Sequence, residues 1–409
     1  MAHIRPFRAV RPPRDKVGLV GSRSYLTYSE PELEARLNYN PYSFLHVIKP
    51  ELHEGQRKSL TTGERFRLVK EGYRYFRQIG IFTRDERDNF YVYRQTKGAR
   101  SYTGIIAGVS VKDYETGHVK IHEQTITSRE ALFEQYLRAT GFNAEPVLLA
   151  YPDRPAITQL VNRTVQQRAE YEFTTTDMVM HEMWMLDDDE TAALISEEMA
   201  AVKDVYIADG HHRCASSALL ARHLRPEHGP WEYFMAMLLP ESELEIFDYN
   251  RLVTSLNGMT SDEFVEKLKR SFDIRQMEHL HRPTHRGNIS MYLKGTWYSL
   301  EVKPELVEDT VVGRLDASVL TDRVLSPLLD IHDLKTDERI SFLDGTKGLH
   351  TLADAVDSGM FAVAFALHPV SIEQLKEVAD TGNIMPPKTT WIEPKLRSGV
   401  LIYEFDENG

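Results

Sequence analysis

The segment that decides the fold is residues 205–213, with the sequence VYIADGHHR. Its first four residues are apolar or β-prone, which predicts a short buried strand. The chain then turns on Gly210, and the Ala- and Leu-rich stretch up to His223 predicts a helix. A strand that leads directly into a helix N-terminus presents backbone N–H groups and the positive end of the helix dipole. Both favour a phosphate.

The polar side chains of this turn suit the same ligand. Arg213 can hold phosphate oxygens bidentately, and His211 and His212 can donate hydrogen bonds to them. Asp209 can hold Mg²⁺ or orient a hydroxyl. The alternative interpretation is an Asp cap followed by surface histidines, which a lone Asp-Gly turn would favour. Five polar or glycine residues between an apolar strand and an apolar helix favour a binding site.

Zinc binding by the two histidines is disfavoured. Adjacent helical positions point about 100° apart, so His211 and His212 make a poor bidentate pair. The sequence has no HExxH pattern, and a zinc site would have to recruit His122 or another distant residue.

A second polar segment, HEQT at 122–125, lies between a strand-like run and a polar helix that Thr127 or Ser128 is expected to cap. Glu123 suits a general base, and His122 and Thr125 suit contact with phosphate or substrate. The alternative is a solvated strand end, which the bare sequence favours. The chain has no Walker A loop and no GxGxxG, so a nucleotide would have to bind by another device.

A proline-rich segment, 386–399, carries Lys388, Lys395 and Arg397, which could close over an anion. The alternative is a loop whose tryptophan packs on the core, and the two interpretations are balanced. Arg94 is similarly ambiguous, because a cation at the end of a predicted strand also suits a salt bridge.

Composition excludes several classes of function. The 409 residues carry 49 Lys and Arg against 61 Asp and Glu, a net charge of 49 − 61 = −12. This balance argues against a general nucleic-acid or membrane-surface binder, which needs a basic face. The single cysteine, Cys214, can form neither an internal disulfide nor a thiolate zinc site. With no apolar signal core or membrane-length apolar run, we expect a cytoplasmic protein.

Strands and helices alternate without a regular βαβ count, which predicts an α+β fold. Ser29 is expected to cap a helix that ends near Asn40, and residues 44–48 are predicted to form a strand. A plausible boundary near 248–258 divides the chain into domains 1–247 and 248–409.

Over nearly its whole length the chain resembles the bacterial and archaeal family called domain of unknown function family ten-fifteen. The resemblance rests on separated stretches: 40–47, 91–95, 120–125, 206–213 and 385–399. The central part is similar to the ParB/sulfiredoxin superfamily, in which a Gly-x-x-Arg turn after a strand holds nucleotide phosphates. The resemblance therefore implies a ParB/sulfiredoxin-like nucleotide-binding core with an N-terminal elaboration and a C-terminal α+β domain.

Within that superfamily the chain resembles the free-serine kinases, which carry a His-Glu pair, a helix, a strand and an Asp-Gly-His-His-Arg turn in that order. The resemblance implies that Glu123 is the base that activates the serine hydroxyl. It implies phosphate or metal contacts for the turn, with Asp209 and His211 in catalytic roles and Asp209 as a Mg²⁺ ligand. The residues implied for phosphate are His122, Thr125, Gly210, His211, His212 and Arg213.

The leading hypothesis is a phosphotransferase that acts on serine or phosphoserine with ATP or ADP and Mg²⁺. Its alternatives are a nucleotide-binding ParB-like regulator without substantial catalysis, a phosphoserine phosphatase running the reverse direction, and a metal-dependent hydrolase built on His122, Glu123 and His211. The expected partners are a small-molecule substrate and a nucleotide, without nucleic acid or membrane, and the oligomeric state is undetermined. The C-terminal half is expected to complete the site with Lys388 or Lys395.

Overall fold

In a computed structural model, which describes residues 2–55, 60–225 and 227–405, the chain folds into two compact units. Unit 1 comprises Met1–Lys120, Thr125–Leu244 and Pro394–Gly409, and unit 2 comprises Ile121–Gln124 and Glu245–Glu393. Both units mix strands and helices, which confirms the α+β class.

The strands are β1 (Ile4–Arg5), β2 (Val10–Arg11), β3 (Thr83–Arg84), β4 (Phe90–Lys97), β5 (Arg100–Ser110), β6 (Val119–Lys120), β7 (Phe142–Asn143), β8 (Val147–Tyr151), β9 (Tyr171–Thr174), β10 (Val179–Leu186), β11 (Val205–Asp209), β12 (Tyr233–Pro240), β13 (Glu245–Phe247), β14 (Tyr249–Val253), β15 (Phe272–Met277), β16 (Asn288–Leu293), β17 (Thr296–Val302), β18 (Ile340–Asp344), β19 (Val363–Ala366), β20 (Trp391–Glu393) and β21 (Tyr403–Glu404).

The α-helices are α1 (Val17–Val20), α2 (Glu30–Tyr39), α3 (Leu45–Ile48), α4 (Thr62–Gln78), α5 (Val111–Glu115), α6 (Thr127–Thr140), α7 (Pro155–Thr164), α8 (Asp189–Ala200), α9 (His211–Leu224), α10 (Ser261–Leu268), α11 (Asp316–Leu320), α12 (His350–Asp357) and α13 (Ile372–Asp380). One turn of π-helix, Thr321–Leu325, continues α11. The 3₁₀ turns are Tyr25–Thr27, Pro50–Gly55, Pro230–Glu232, Glu241–Glu243, Pro304–Leu306 and Gly345–Lys347.

Unit 1 is built on a mixed sheet whose strand order is β6-β11-β8-β12-β5-β4-β10-β9, with β1 added beside β5. The pairs β11–β6 and β12–β8 are parallel, and the others are antiparallel. The first four residues of β11 are all buried, as expected for a strand covered on both faces. Its side chains at 205 and 207 join the core that α7, α8 and α9 cover.

Unit 2 is an antiparallel sheet of order β15-β17-β16-β19-β14-β18, with β13 and β20 paired separately. Alternate residues of its strands enter two different apolar clusters, so both sheet faces are covered. The hairpin β16–β17 and its neighbour β19 pair residue by residue.

Among the local predictions for the N-terminal part of unit 1, the capped helix is confirmed and the strand at 44–48 is wrong. Ser29 caps α2 in a capping box with Glu32, and α2 ends at Tyr39 with Asn40 as its C-cap. The strand predicted at 44–48 is instead the short helix α3, Leu45–Ile48, with Phe44 as its N-cap. A short apolar run does not distinguish the two by pattern alone. Here a helical turn buries Phe44 and Val47 together in the cluster under α4.

The two units also divide differently from the predicted domains 1–247 and 248–409. The C-terminal segment from Pro394 onward belongs to unit 1. Its strand β21 pairs with β7, opposite Phe142 and Asn143, and Ile402 forms a bridge with Val10. These long-range backbone hydrogen bonds hold the segment against the first unit.

One buried carboxyl makes unit 2 sensitive to pH. The Asp316 side chain is 6% exposed and its Oδ1 accepts a 2.8 Å bond from the Gly287 N–H. Burial raises its pKa to about 6, and the N–H donors oppose this only in part. A folded-state pKa above the unfolded value means that the contribution of Asp316 to stability is most favourable at low pH and falls as pH rises from about 4 through 6.

Asp316→Asn should therefore stabilise unit 2 at pH 8 and not at pH 4. The asparagine Oδ1 still accepts the Gly287 N–H bond, while the cost of ionisation, at most about 3 kcal/mol for a shift near two pKa units, disappears. Calorimetric unfolding of the full chain between pH 4 and 8 measures the difference. Parallel pH profiles for the variant and the wild type would contradict the assignment.

No helix in the described part of the chain is both long and apolar enough to cross a lipid bilayer.

Candidate functional site

The candidate site in unit 1 is the turn between β11 and α9. Strand β11 shifts register between Ile207 and Asp209, and Gly210 then adopts a left-handed φ of 100° at the start of α9. A Cβ at position 210 would lie 2.8 Å from Nε and 2.9 Å from Nη2 of Arg213. Glycine is therefore required twice, for its backbone conformation and for the room that it leaves the guanidinium.

The carboxylate of Asp209 accepts hydrogen bonds from two cations. Its Oδ1 accepts a 2.7 Å bond from Lys395 Nζ, and its Oδ2 accepts a 2.6 Å bond from Arg213 Nη2. Burial alone would raise the pKa of Asp209, but the charges of Lys395 and Arg213 lower it to about 2. The carboxylate is therefore ionised throughout the neutral range and is not a proton donor there.

Arg213 bridges two carboxylates. Its Nη1 donates to Glu145 Oε1 while Nη2 donates to Asp209. The second oxygen of Glu145 accepts a 3.0 Å bond from the Ser398 hydroxyl. Two cations and two carboxylates thus form one charge-balanced cluster, and all four side chains keep some exposure to solvent. Because the charges of the cluster are balanced, a phosphate that binds at this turn would have to replace a carboxylate as the partner of Arg213 or Lys395.

The first turn of α9 carries the histidines of the sequence motif. His211 is buried and His212 is half-buried. The next residue but one, Cys214, is fully buried, and burial raises the pKa of its thiol well above the usual value. A thiol that stays protonated is a packing residue and not a nucleophile.

The last cation of the proline-rich segment, Arg397, is held elsewhere in unit 1. Arg397 Nη2 donates to both Asp177 oxygens, at 2.8 and 2.6 Å, and its side chain is 6% exposed. The Arg397 charge also helps burial to lower the pKa of His181 to about 3, which keeps that imidazole neutral.

Arg94 lies on β4 and forms a two-bond ion pair with Glu182 on β10, at 2.7 and 2.8 Å. Both residues face each other in the strand register. This is the salt bridge that the sequence offered as the alternative to an anion contact.

The HEQT segment is divided between the units, because His122 and Glu123 belong to unit 2 and Thr125 belongs to unit 1. The Thr125 hydroxyl donates to Glu130 on α6. The expected cap by Thr127 or Ser128 is wrong, since Ile126 is the N-cap and makes no side-chain bond there. Glu130 instead accepts a hydrogen bond from the hydroxyl of Thr125, which precedes the helix.

Within unit 2, the main chain at His122 is hydrogen-bonded to the residue that precedes the proline-rich segment. The His122 carbonyl accepts a 2.9 Å bond from the Met385 N–H. Burial lowers the pKa of His122 to about 4, so the ring is neutral at pH 7. A neutral imidazole can accept or donate a hydrogen bond.

Glu123 is exposed, and it lies within electrostatic range of Tyr249. Burial raises the pKa of that phenol, and the carboxylates of Asp344 and Glu123 raise it further. Lys388 Nζ is 5.4 Å from the centre of the same ring. Unit 2 therefore gathers a carboxylate, a phenol and an ammonium from three separate segments of the chain.

Sequence reasoning missed Glu145 and Ser398, which complete the Arg213 cluster, and Asp177, which holds Arg397. The available signal for Glu145 was a carboxylate placed immediately before Pro146 and the apolar strand β8.

Within the described ranges, no three His, Cys, Asp or Glu side chains are gathered as metal ligands. Mg²⁺ needs only one or two carboxylates when phosphates supply its other ligands, so Asp209 and Glu145 fit such an ion only together with a phosphorylated ligand.

A family profile described as "Protein of unknown function (DUF1015)" matches residues 4–318, which confirms the family expected from the sequence. Similar solved structures include "Free serine kinase in complex with AMP", 14% identical over 72% of this chain and 91% of that chain, TM-score 0.37. They also include "SbnI with C-terminal truncation from Staphylococcus aureus", 11% identical over 70% and 82%, TM-score 0.39. A conserved hypothetical protein from Pyrococcus furiosus is 14% identical over 73% and 92%, TM-score 0.35. Likenesses this distant transfer no activity, and no curated protein matches the chain.

Proposed function

This chain belongs to the family of unknown function DUF1015, and we propose that it is a phosphotransferase acting on a small hydroxy amino acid, serine or phosphoserine, with ATP or ADP. The proposal includes a ParB/sulfiredoxin-like nucleotide-binding core in unit 1 and a cytoplasmic location.

The observation that carries the proposal is the turn between β11 and α9. A helix N-terminus, Arg213 and Lys395 are gathered beside Gly210, whose missing side chain lets the guanidinium approach the backbone. Oriented N–H groups and two cations are the parts that bind and neutralise transferring phosphoryl groups.

The charge balance of the cluster indicates how a nucleotide would enter. Arg213 and Lys395 are occupied by Asp209 and Glu145. A nucleotide that arrives with Mg²⁺ brings a cation for the carboxylates and phosphate oxygens for Arg213 and Lys395. Both sets of charges then remain paired after the exchange, which avoids leaving a partly buried ion without a partner. Bound Mg²⁺ would neutralise charge on the phosphate oxygens.

In the proposed reaction Glu123 accepts the proton of the serine hydroxyl. The hydroxyl oxygen then forms a bond to the terminal phosphorus of the nucleotide, and the bond from that phosphorus to the leaving nucleotide oxygen breaks. In this proposal the turn of unit 1 binds the phosphates of the nucleotide. Phosphoserine is the product, and the same steps in reverse would consume it.

A panel of substrates tests the proposal. Purified full-length protein with Mg²⁺ is incubated with ATP or ADP and either serine, threonine or glycerate, and separately with phosphoserine, and the products are resolved by phosphate-sensitive chromatography. We expect phosphoserine and the nucleotide with one phosphate fewer in equal amounts from the serine reactions. Tight nucleotide binding without product over hours would overturn the enzymatic assignment in favour of a nucleotide-binding regulator. Free phosphate from phosphoserine alone would indicate a phosphatase.

A further inference from the structure

A cavity of about 400 Å³ lies in unit 1 beside the turn. Its lining includes Glu145 and Arg213, the pair that forms part of the charge-balanced cluster. The rest of the wall is mostly apolar, with rings supplied by Tyr25, Phe44, Phe66, Phe133 and Tyr136. The volume is within the range of sites that hold small molecules.

The wall of this cavity contains large apolar side chains that are exposed to solvent. Leu132 and Phe133 on α6 are 44% and 42% exposed, although both line the cavity. Large apolar side chains that line a concave site and remain exposed are typical of ligand sites. Arg65 and Arg129 also line it, so an anionic ligand would be attracted to this wall.

The shape and chemistry of the cavity suit one part of a nucleotide. Aromatic side chains bind nucleobases by stacking on their faces, whichever base is present. Arg213, which belongs to the proposed phosphate site, is part of the same lining. A ligand that carries both a flat ring and phosphates would match the aromatic and the charged side chains of this lining.

We propose that the cavity holds the base of the nucleotide whose phosphates bind at the turn, and that Phe133 is a stacking or covering residue for that base. The inference rests on the proposed function, because it assumes phosphates at Arg213. It adds a location for the base, and a residue that should set the affinity for nucleosides without acting on the phosphates.

Calorimetric titration of the full chain with AMP, adenosine and inorganic pyrophosphate tests the inference. Phe133→Ala should raise the Kd for AMP about 10-fold, as expected for loss of one base-stacking contact, and leave the Kd for pyrophosphate unchanged. The matched control is Tyr75→Ala, which removes an aromatic side chain that is 56% exposed on α4 and is not part of the cavity wall. It should change neither constant.

A second variant fills the space instead of opening it. Ser24 lines the cavity from a loop, and Ser24→Trp should abolish binding of AMP and adenosine while pyrophosphate still binds. If AMP binds to both cavity variants as it does to the wild type, the base lies elsewhere, although the phosphate site and the proposed function would survive. If neither AMP nor pyrophosphate binds to the wild type, the proposed function and this inference fail together.

Discussion

Replacing Glu123 with glutamine is expected to lower turnover of serine about 10²- to 10⁴-fold, the usual cost of removing a general base. Glutamine keeps the size and the hydrogen-bonding oxygen of the side chain but cannot accept the hydroxyl proton at neutral pH. Glu123 is exposed, so the substitution should leave the fold and the Kd for nucleotide close to those of the wild type.

The informative comparison is between the effect of Glu123→Gln on kcat and its effect on the Kd for nucleotide. Glu338 is another exposed glutamate of unit 2, and Glu338→Gln removes the same charge without touching the proposed base. We expect this control to match the wild type in kcat, in KM and in Tm. Wild-type turnover by Glu123→Gln would show that the base role is wrong. An equal loss of nucleotide binding and turnover would place Glu123 in binding rather than in proton transfer.

Replacing Arg213 with lysine should raise the Kd for ATP about 10- to 100-fold, since a hydrogen bond to a charged group contributes about 1.5–3 kcal/mol. The guanidinium uses two nitrogens to reach two different carboxylates, Glu145 and Asp209. A lysine ammonium keeps the charge but lacks the planar fork that spans two oxygens. The loss should therefore appear although the net charge is unchanged.

The matched control lies on the same helix. Arg222 on α9 forms a surface ion pair with Glu115 and its side chain is 56% exposed. Exposed pairs contribute little, so Arg222→Lys should bind ATP as the wild type does. Tight ATP binding by Arg213→Lys, with unchanged Tm, would remove Arg213 from the phosphate site. A fall in Tm together with weaker binding of both ATP and pyrophosphate would still locate the anion at this turn.

The elements that the sequence predicts well are those whose signal is local. A few consecutive residues are enough to predict each of three elements. These are the Ser29 cap with Glu32 three residues later, the strand at 205–208 and the helix after Gly210. The prediction fails at 44–48, where four apolar residues in a run of five fit a strand and a helical turn equally, and the packing of the surrounding helices decides between them.

The site divides in the same way. Asp209, Gly210 and Arg213 could be identified together because a strand–turn–helix junction brings them together within one segment. Lys395 was expected to contact an anion, but its partner Asp209 is 186 residues away along the chain. Glu145 is not predicted at all, because nothing near it in the sequence indicates which arginine it forms an ion pair with.

By itself, therefore, the sequence determined the α+β class, the family and the turn with its glycine. Only the tertiary structure decided that Lys395 and Glu145 close the ion-pair cluster around Asp209 and Arg213, and that the segment carrying Lys395 returns to the first unit. The physical reason is that backbone conformation and capping depend on neighbouring residues, whereas an ion pair between distant segments exists only after strand pairing, here β21 with β7, has brought those segments together.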